Sequence, residues 1–286
     1  MNRSALILEG GGVRGIFSAG VLDSFLENNI EFDTVIAVSA GALFGVNFLS
    51  KQSGRAVRYN KKYNKDFKYM GLYPLLKEGN IVSTKYAYND VPRKLDPFDN
   101  EAYKKSLTQM YAVVTNVETG KPEYIKVDDV FEQMDTLRAS GSIPVVSKAV
   151  EINGNKYLDG GISDSIPFEW AIERNYEHIV VVLTRDIDYR KKPESKLLIG
   201  SLKNKYPCIY EQMLHRHENY NMKIEKLKEL EKEGRVFIIR PFEPIEAGRL
   251  ERDEAKIQNS YDSGKNTANK MMSGLKEYLG CEGDLT

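Results

Sequence analysis

The chain has 286 residues, 41% hydrophobic and 29% charged. That is enough apolar material for a full core and too much for a disordered chain. Lys plus Arg and Asp plus Glu balance at 41 each, so no overall field draws nucleic acid, and a nucleic-acid partner is not expected.

Cys208 and Cys281 stand apart from any CxxC and from any histidine at ligand spacing. They suit neither a disulfide framework nor a cysteine metal site, and a reducing compartment is the expectation. The sequence shows no charged-then-apolar leader ending in small residues. Its longest later apolar run, Ile179 to Leu183, is five residues, far short of the ~20 of a membrane-spanning helix. A cytoplasmic location with at most peripheral membrane contact is therefore expected.

Short β-branched runs alternate with helical patterns along the chain. The strands are predicted at Ala5–Leu8, Thr34–Val38, Met110–Thr115, Tyr124–Val127, His178–Leu183 and Val236–Ile239. Between the first two, Gly15–Asn28 carries Ile16, Val21, Leu22, Phe25 and Leu26 at helical spacing. Strands separated by helices imply a largely parallel sheet covered on both faces. Asn153-Gly154, between Val150-Glu151-Ile152 and Lys156-Tyr157-Leu158, marks a hairpin whose second strand ends at Asp159. Residues 192–234 are rich in Lys and Glu and read as an exposed helical excursion stopped by Gly234. With no linker and no repeat, one domain spanning 1–286 is expected, its core at about 4–190 and 235–280.

Gly10-Gly11-Gly12-Val13-Arg14-Gly15 follows the first strand and opens a helix. Such a turn aims amide hydrogens, and the partial positive charge of a helix start, at an anion: a phosphate, or the oxyanion of an attacked ester. Gly10-x-Gly12-x-x-Gly15 also fits a dinucleotide fingerprint. That reading wants an acidic residue ending the second strand, and Asp33 lies before it instead.

The second strand runs into Val38-Ser39-Ala40-Gly41 and an apolar helix over 41–49. A serine at a strand-to-helix turn with small neighbours is placed for nucleophilic attack; the plainer reading is a helix cap. Ala37 replaces the leading glycine of the G-x-S-x-G pattern.

The hydroxyl needs a proton acceptor. His178 begins a strand, and His215 and His217 lie in the polar excursion, so a histidine triad is poorly placed. Asp159-Gly160-Gly161 ends a strand with room for a close partner, and burial would raise a carboxylate that is otherwise a weak base.

In order, Gly10–Gly15, Val38-Ser39-Ala40-Gly41, Arg138-Ala139-Ser140-Gly141-Ser142-Ile143-Pro144, Asp159-Gly160-Gly161 with Ile166-Pro167, Arg240-Pro241 and Tyr261-Asp262-Ser263-Gly264 resemble the patatin-like phospholipases. The likeness covers roughly residues 4–275. It implies a three-layer α/β/α sandwich with a mainly parallel central sheet. It also implies a Ser-Asp dyad of Ser39 (nucleophile) and Asp159 (base), with an oxyanion hole from Gly10, Gly11 and Gly12. Arg14, Ala40 and Gly160 would lie beside the substrate, a fatty acyl ester such as a phospholipid. No metal or other cofactor is implied. Arg14 would either attract an anionic head group or fix the loop through a carboxylate, the second being favoured because a cation at a helix start needs a partner. A general carboxylesterase and a catalytically weak lipid-binding module are the alternatives.

Residues 51–68 interleave Lys51, Arg55, Arg58, Lys61, Lys62, Lys65 and Lys68 with Tyr59, Tyr63 and Phe67. They form either a patch resting on an anionic membrane or a solvated helix whose tyrosines pack inward. Nothing in the sequence reads out the oligomeric state.

Overall fold

The apolar runs assemble into one mixed sheet in the computed structural model, which describes residues 3–281. The strands are β1 (Ser4–Leu8), β2 (Thr34–Val38), β3 (Gln109–Asn116), β4 (Pro122–Lys126), β5 (Val150–Ile152), β6 (Asn155–Asp159), β7 (His178–Val182) and β8 (Phe237–Ile239). Their spatial order is β5-β6-β3-β2-β1-β7-β8, with β4 also paired to β3. The central strands β3, β2, β1, β7 and β8 run parallel. Antiparallel β4, β6 and β5 extend the β3 side, and Asn153 and Gly154 turn the β5–β6 hairpin at φ 49° and 79°.

The helices that matter for the site are α1 (Ile16–Glu27), α2 (Ala40–Leu49), α3 (Arg55–Tyr63), α4 (Leu72–Glu78), α5 (Met134–Ser140), α6 (Phe168–Glu173), α7 (Pro207–Lys232) and α8 (Glu254–Leu279). Side chains alternate across each strand. Leu6 and Leu8 of β1 therefore join Phe17, Phe25, Val46 and Met272 of α1, α2 and α8 on one face. Ala5 and Ile7 join Phe168, Trp170, Tyr220 and Ile224 of α6 and α7 on the other. Both faces are dry, which is why β1, β2 and β7 read as unbroken apolar runs. The result is the three-layer α/β/α sandwich.

Residues 192–234 differ from the exposed excursion expected of them. Helix α7 buries Ile209, Met213, Tyr220, Ile224 and Leu227, and its Lys and Glu residues cover only the outer face. The basic stretch 51–68 turns Tyr63 inward, where it stacks on buried Tyr69 at 6.1 Å. Arg55 is buried against Asp96 at 3.2 Å, and Lys65 pairs with Glu254. Among the described residues no helix is long and apolar enough to cross a membrane.

Candidate active site

The sheet register brings the two key side chains together. Val38 of β2 pairs with Val113 of β3, so Ser39, the next residue, stands level with Val114. Val114 pairs on its other side with Asp159, the last residue of β6. Past the strand ends the two side chains meet over β3, and Ser39 Oγ donates to Asp159 Oδ2 at 2.8 Å. The other carboxylate oxygen, Oδ1, accepts the Gly161 amide at 2.7 Å. Both residues are only 8% exposed.

Ser39 makes this turn at φ 55° and ψ −123°, a backbone that side chains rarely adopt. The strain falls on Ser39 itself. Ala37 lies two residues earlier in regular strand, buried and paired with Leu8 and Ala112, where a methyl group is easily housed. The alanine departure from the serine motif therefore leaves the turn intact. Ser39 makes no side-chain cap to helix α2, so its hydroxyl is free for Asp159 rather than serving the helix start.

Close approach demands glycine at several positions of the site, Gly10 and Gly160 among them. A Cβ on Gly10 would lie 2.9 Å from the Ser39 Cβ, and one on Gly160 would lie 2.2 Å from the Val113 carbonyl oxygen. Ala40, nearly buried at the start of α2, sits against Gly15. Among the described residues, no backbone acceptor takes the amide hydrogens of Gly10, Gly11 or Gly12. They stand at a helix start beside the serine, where a developing negative charge would be stabilised.

The sequence reading missed several parts of the site. Ser140 Oγ accepts the Ser39 amide at 2.8 Å and donates to the Val113 carbonyl at 2.7 Å. The Ser142 carbonyl accepts the Asp159 amide at 2.9 Å. One short segment, 140–142, thus holds the backbones of both partners. Glu9, buried beside Gly10, accepts from the Thr184 amide at 2.6 Å and from the Tyr220 hydroxyl at 2.8 Å. Arg216 of α7 donates through Nε to the Gly161 carbonyl and pairs with Glu194 at 3.4 Å.

Burial pushes the Asp159 carboxyl above its usual range; the Ser39 hydrogen bond, Arg216 and the Gly161 amide pull it partly back. A base lifted in this way is better matched to neutral pH. None of the three histidines lines a cavity that reaches Ser39. His178 opens β7, at the end of the parallel strands remote from the serine, and His215 is occupied with Glu218 at 2.9 Å.

Two cavities meet at Ser39. The first is apolar, lined by Val13, Leu43, Phe44, Met70, Val91 and Leu137 among others. The second holds Asp159 and the glycine turn together with Arg14, Arg185, Lys191, Arg216 and Arg249. Arg14 departs from the loop-fixing role favoured for it: it has no ion pair among the described residues, and its buried Nε has no partner. Its pKa is lowered to about 10 by burial and by Arg185 and Arg249. Lys191 is lowered to about 7, first by burial and then by Arg216. Among the described residues no group of acidic, histidine or cysteine side chains has the makings of a metal site.

A family model described as patatin-like phospholipase matches residues 6–172, more than half of the chain. This chain belongs to the patatin-like phospholipase family. The matched span contains the glycine turn, Ser39 and Asp159 of this family member, and a second model, a domain of unknown function (DUF6363), matches residues 206–280. The Escherichia coli (strain K12) uncharacterized protein YjjU is 31% identical over 192 residues, 64% of this chain and 52% of that protein. A probable lipid hydrolase, 463L, of Invertebrate iridescent virus 6 is 22% identical over 186 residues, 59% of this chain and 63% of that protein. Lysophospholipase NTE1 of Cryptococcus neoformans is 24% identical over 190 residues, 64% of this chain but 11% of that protein. The matched region of this patatin-like chain thus spans less than two thirds of each of these relatives. The crystal structure of VipD from Legionella pneumophila aligns over 96% of this chain and 67% of that one, with 13% identity and a TM-score of 0.47.

Proposed function

We propose that this chain is a serine hydrolase of fatty acyl esters, a lipid acyl hydrolase working through a Ser39–Asp159 dyad. The observation that carries the reading is the 2.8 Å hydrogen bond from the Ser39 hydroxyl to a buried carboxylate at the mouth of an apolar cavity.

Ser39 Oγ attacks the ester carbonyl carbon while its proton passes to Asp159 Oδ2. The carbonyl oxygen, now negative, is held by the amides of the Gly10–Gly12 turn. Collapse of the adduct breaks the bond to the alcohol, which takes the proton from Asp159, and leaves the acyl group on Ser39. Water, deprotonated by Asp159, then releases the fatty acid and restores both residues. The chemistry needs no metal or cofactor.

The apolar cavity fits an acyl chain, which favours long-chain esters over the small soluble esters of a general carboxylesterase. Peripheral contact with an anionic membrane surface belongs to the same reading. Helix α4 exposes Leu72 (74%) and Leu76 (86%), close in the chain to Met70 and Ile81 of the apolar cavity.

A fluorophosphonate probe tests the assignment. Labelling of the wild type and its absence in Ser39→Ala are expected, with hydrolysis of long-chain nitrophenyl esters lost alongside. Absence of serine-dependent labelling would leave the lipid-binding module as the better reading.

A further inference from the structure

The second cavity at Ser39 carries more positive charge than an acyl hydrolase needs. Among its lining residues five basic side chains (Arg14, Arg185, Lys191, Arg216, Arg249) face three carboxylates (Glu9, Asp159, Glu194), an excess of two basic groups, of which Lys191, lowered to about 7, is only partly charged at neutral pH. Arg216 is the one with a carboxylate partner, Glu194. Among the described residues no ion pair is formed by the other four. Arg185 rests over the Tyr189 ring at 4.2 Å and Lys191 over the Tyr220 ring at 4.3 Å. Arg14, 9% exposed, leaves its Nε without an acceptor.

Unpaired cations gathered around one partly buried cavity repel one another and lose hydration. The pKa values of Arg14 and Lys191 are lowered first by burial and then by these neighbouring cations. Such an arrangement is relieved by an anion, which would also return Lys191 to full charge, and one of charge near −2 then matches the excess. Arg185 and Lys191 lie outside both matched family models, and Arg249 lies in the second, whose function is unknown, so the match over residues 6–172 does not supply them.

The geometry points to this chamber as a head-group site selecting acyl esters that bear a phosphate monoester, of the lysophosphatidate kind, over those with a zwitterionic head. A phosphate monoester carries about −1.5 to −2 charge at neutral pH and several acceptor oxygens for guanidinium donors. A choline head would bring a further cation into the same chamber. Ser39 lines both cavities, so a phosphate in one and an acyl chain in the other put the ester between them at the hydroxyl. This assignment rests on the acyl hydrolase reading.

The test compares lysophosphatidate with lysophosphatidylcholine of the same acyl chain, as kcat/KM in the wild type and as equilibrium binding to Ser39→Ala protein. A preference of tenfold or more for lysophosphatidate is expected in both, shrinking toward one in Lys191→Gln and in Arg185→Gln. Equal use of the two lipids by the wild type, or a preference that survives both substitutions, would overturn the chamber while leaving the hydrolase intact. Inorganic phosphate is the third arm: affinity equal to that for lysophosphatidate would mean a free anion site and would overturn the head-group assignment. If the wild type cleaves no long-chain ester and the fluorophosphonate leaves Ser39 unlabelled, the hydrolase reading fails, and this one with it.

Discussion

Ser140 holds Ser39 by the backbone. Its hydroxyl accepts the Ser39 amide hydrogen at 2.8 Å and donates its own to Val113 at 2.7 Å, wholly buried between β2 and β3. The proposed nucleophile is thereby fixed by a group that never touches its hydroxyl. Replacing Ser140 by alanine strands a buried N–H and should lower stability by about 1–3 kcal/mol. Turnover should fall by up to about 10²-fold through misplacement of Oγ, chiefly in kcat. Urea unfolding and steady-state kinetics read the two effects, and a variant matching the wild type in both would remove Ser140 from the positioning role.

Asp159→Asn keeps the shape of the side chain and removes the proton acceptor. Ester turnover is expected to drop by about 10²–10⁴-fold with the thermal unfolding transition still cooperative. Activity within tenfold of the wild type would transfer the base role elsewhere.

The ionisation of Asp159 also fixes a pH dependence. The proposed base would work deprotonated, and burial raises its pKa above the usual carboxylate range, so kcat/KM should decline with acidification at a higher pH than an ordinary aspartate would give. Arg216 pulls that pKa down. Arg216→Gln should therefore move the acid limb to still higher pH. A limb that stays put in this variant, measured from pH 4 to 9 on a neutral ester, would separate Arg216 from the carboxylate.

Gly160→Ala should be destructive for a steric reason. The new methyl would lie 2.2 Å from the Val113 carbonyl oxygen, so β6 and the adjoining Asp159 must shift. A loss of about 1–3 kcal/mol in stability, with loss of turnover, is the expected outcome. Gly154→Ala, with open space around it, is the contrast: it acts only through its φ of 79° and should leave the kinetics unchanged.

At the surface, Leu72→Ser with Leu76→Ser should weaken binding to anionic vesicles by tenfold or more, since burying one such leucine contributes roughly 1.5–3 kcal/mol. Hydrolysis of a soluble ester should be unaffected. Sedimentation with vesicles measures the first and a nitrophenyl assay the second; undiminished binding would place the lipid contact elsewhere.

Much of this architecture was readable from residue order. The β-branched runs, the Asn153-Gly154 turn and the glycine-rich segments located the strands and put Ser39 and Asp159 at strand ends, because each is a local signal. What escaped was carried by tertiary packing. Helix α7 looked solvated because Lys and Glu dominate its composition, yet Ile209, Met213, Arg216, Tyr220, Ile224 and Leu227 recur every three or four residues on its inner stripe. An arginine in that apolar stripe was the available sign that it had a buried partner. Ser140 stood in the Arg138–Pro144 motif with no role attached: that role depends on Val38 and Val113 being neighbours in the sheet, a relation that spacing alone does not disclose.

The backbone at Ser39 has one further implication. At φ 55° and ψ −123° glycine is the residue that elementary sterics would choose, and a serine there carries about 1–3 kcal/mol of unfavourable geometry in every folded molecule. Selection for durability alone would have removed the side chain. On the proposed reading its presence answers a demand for an oxygen atom at that spot, and Ser39→Gly should accordingly yield a hardier protein that has lost its chemistry.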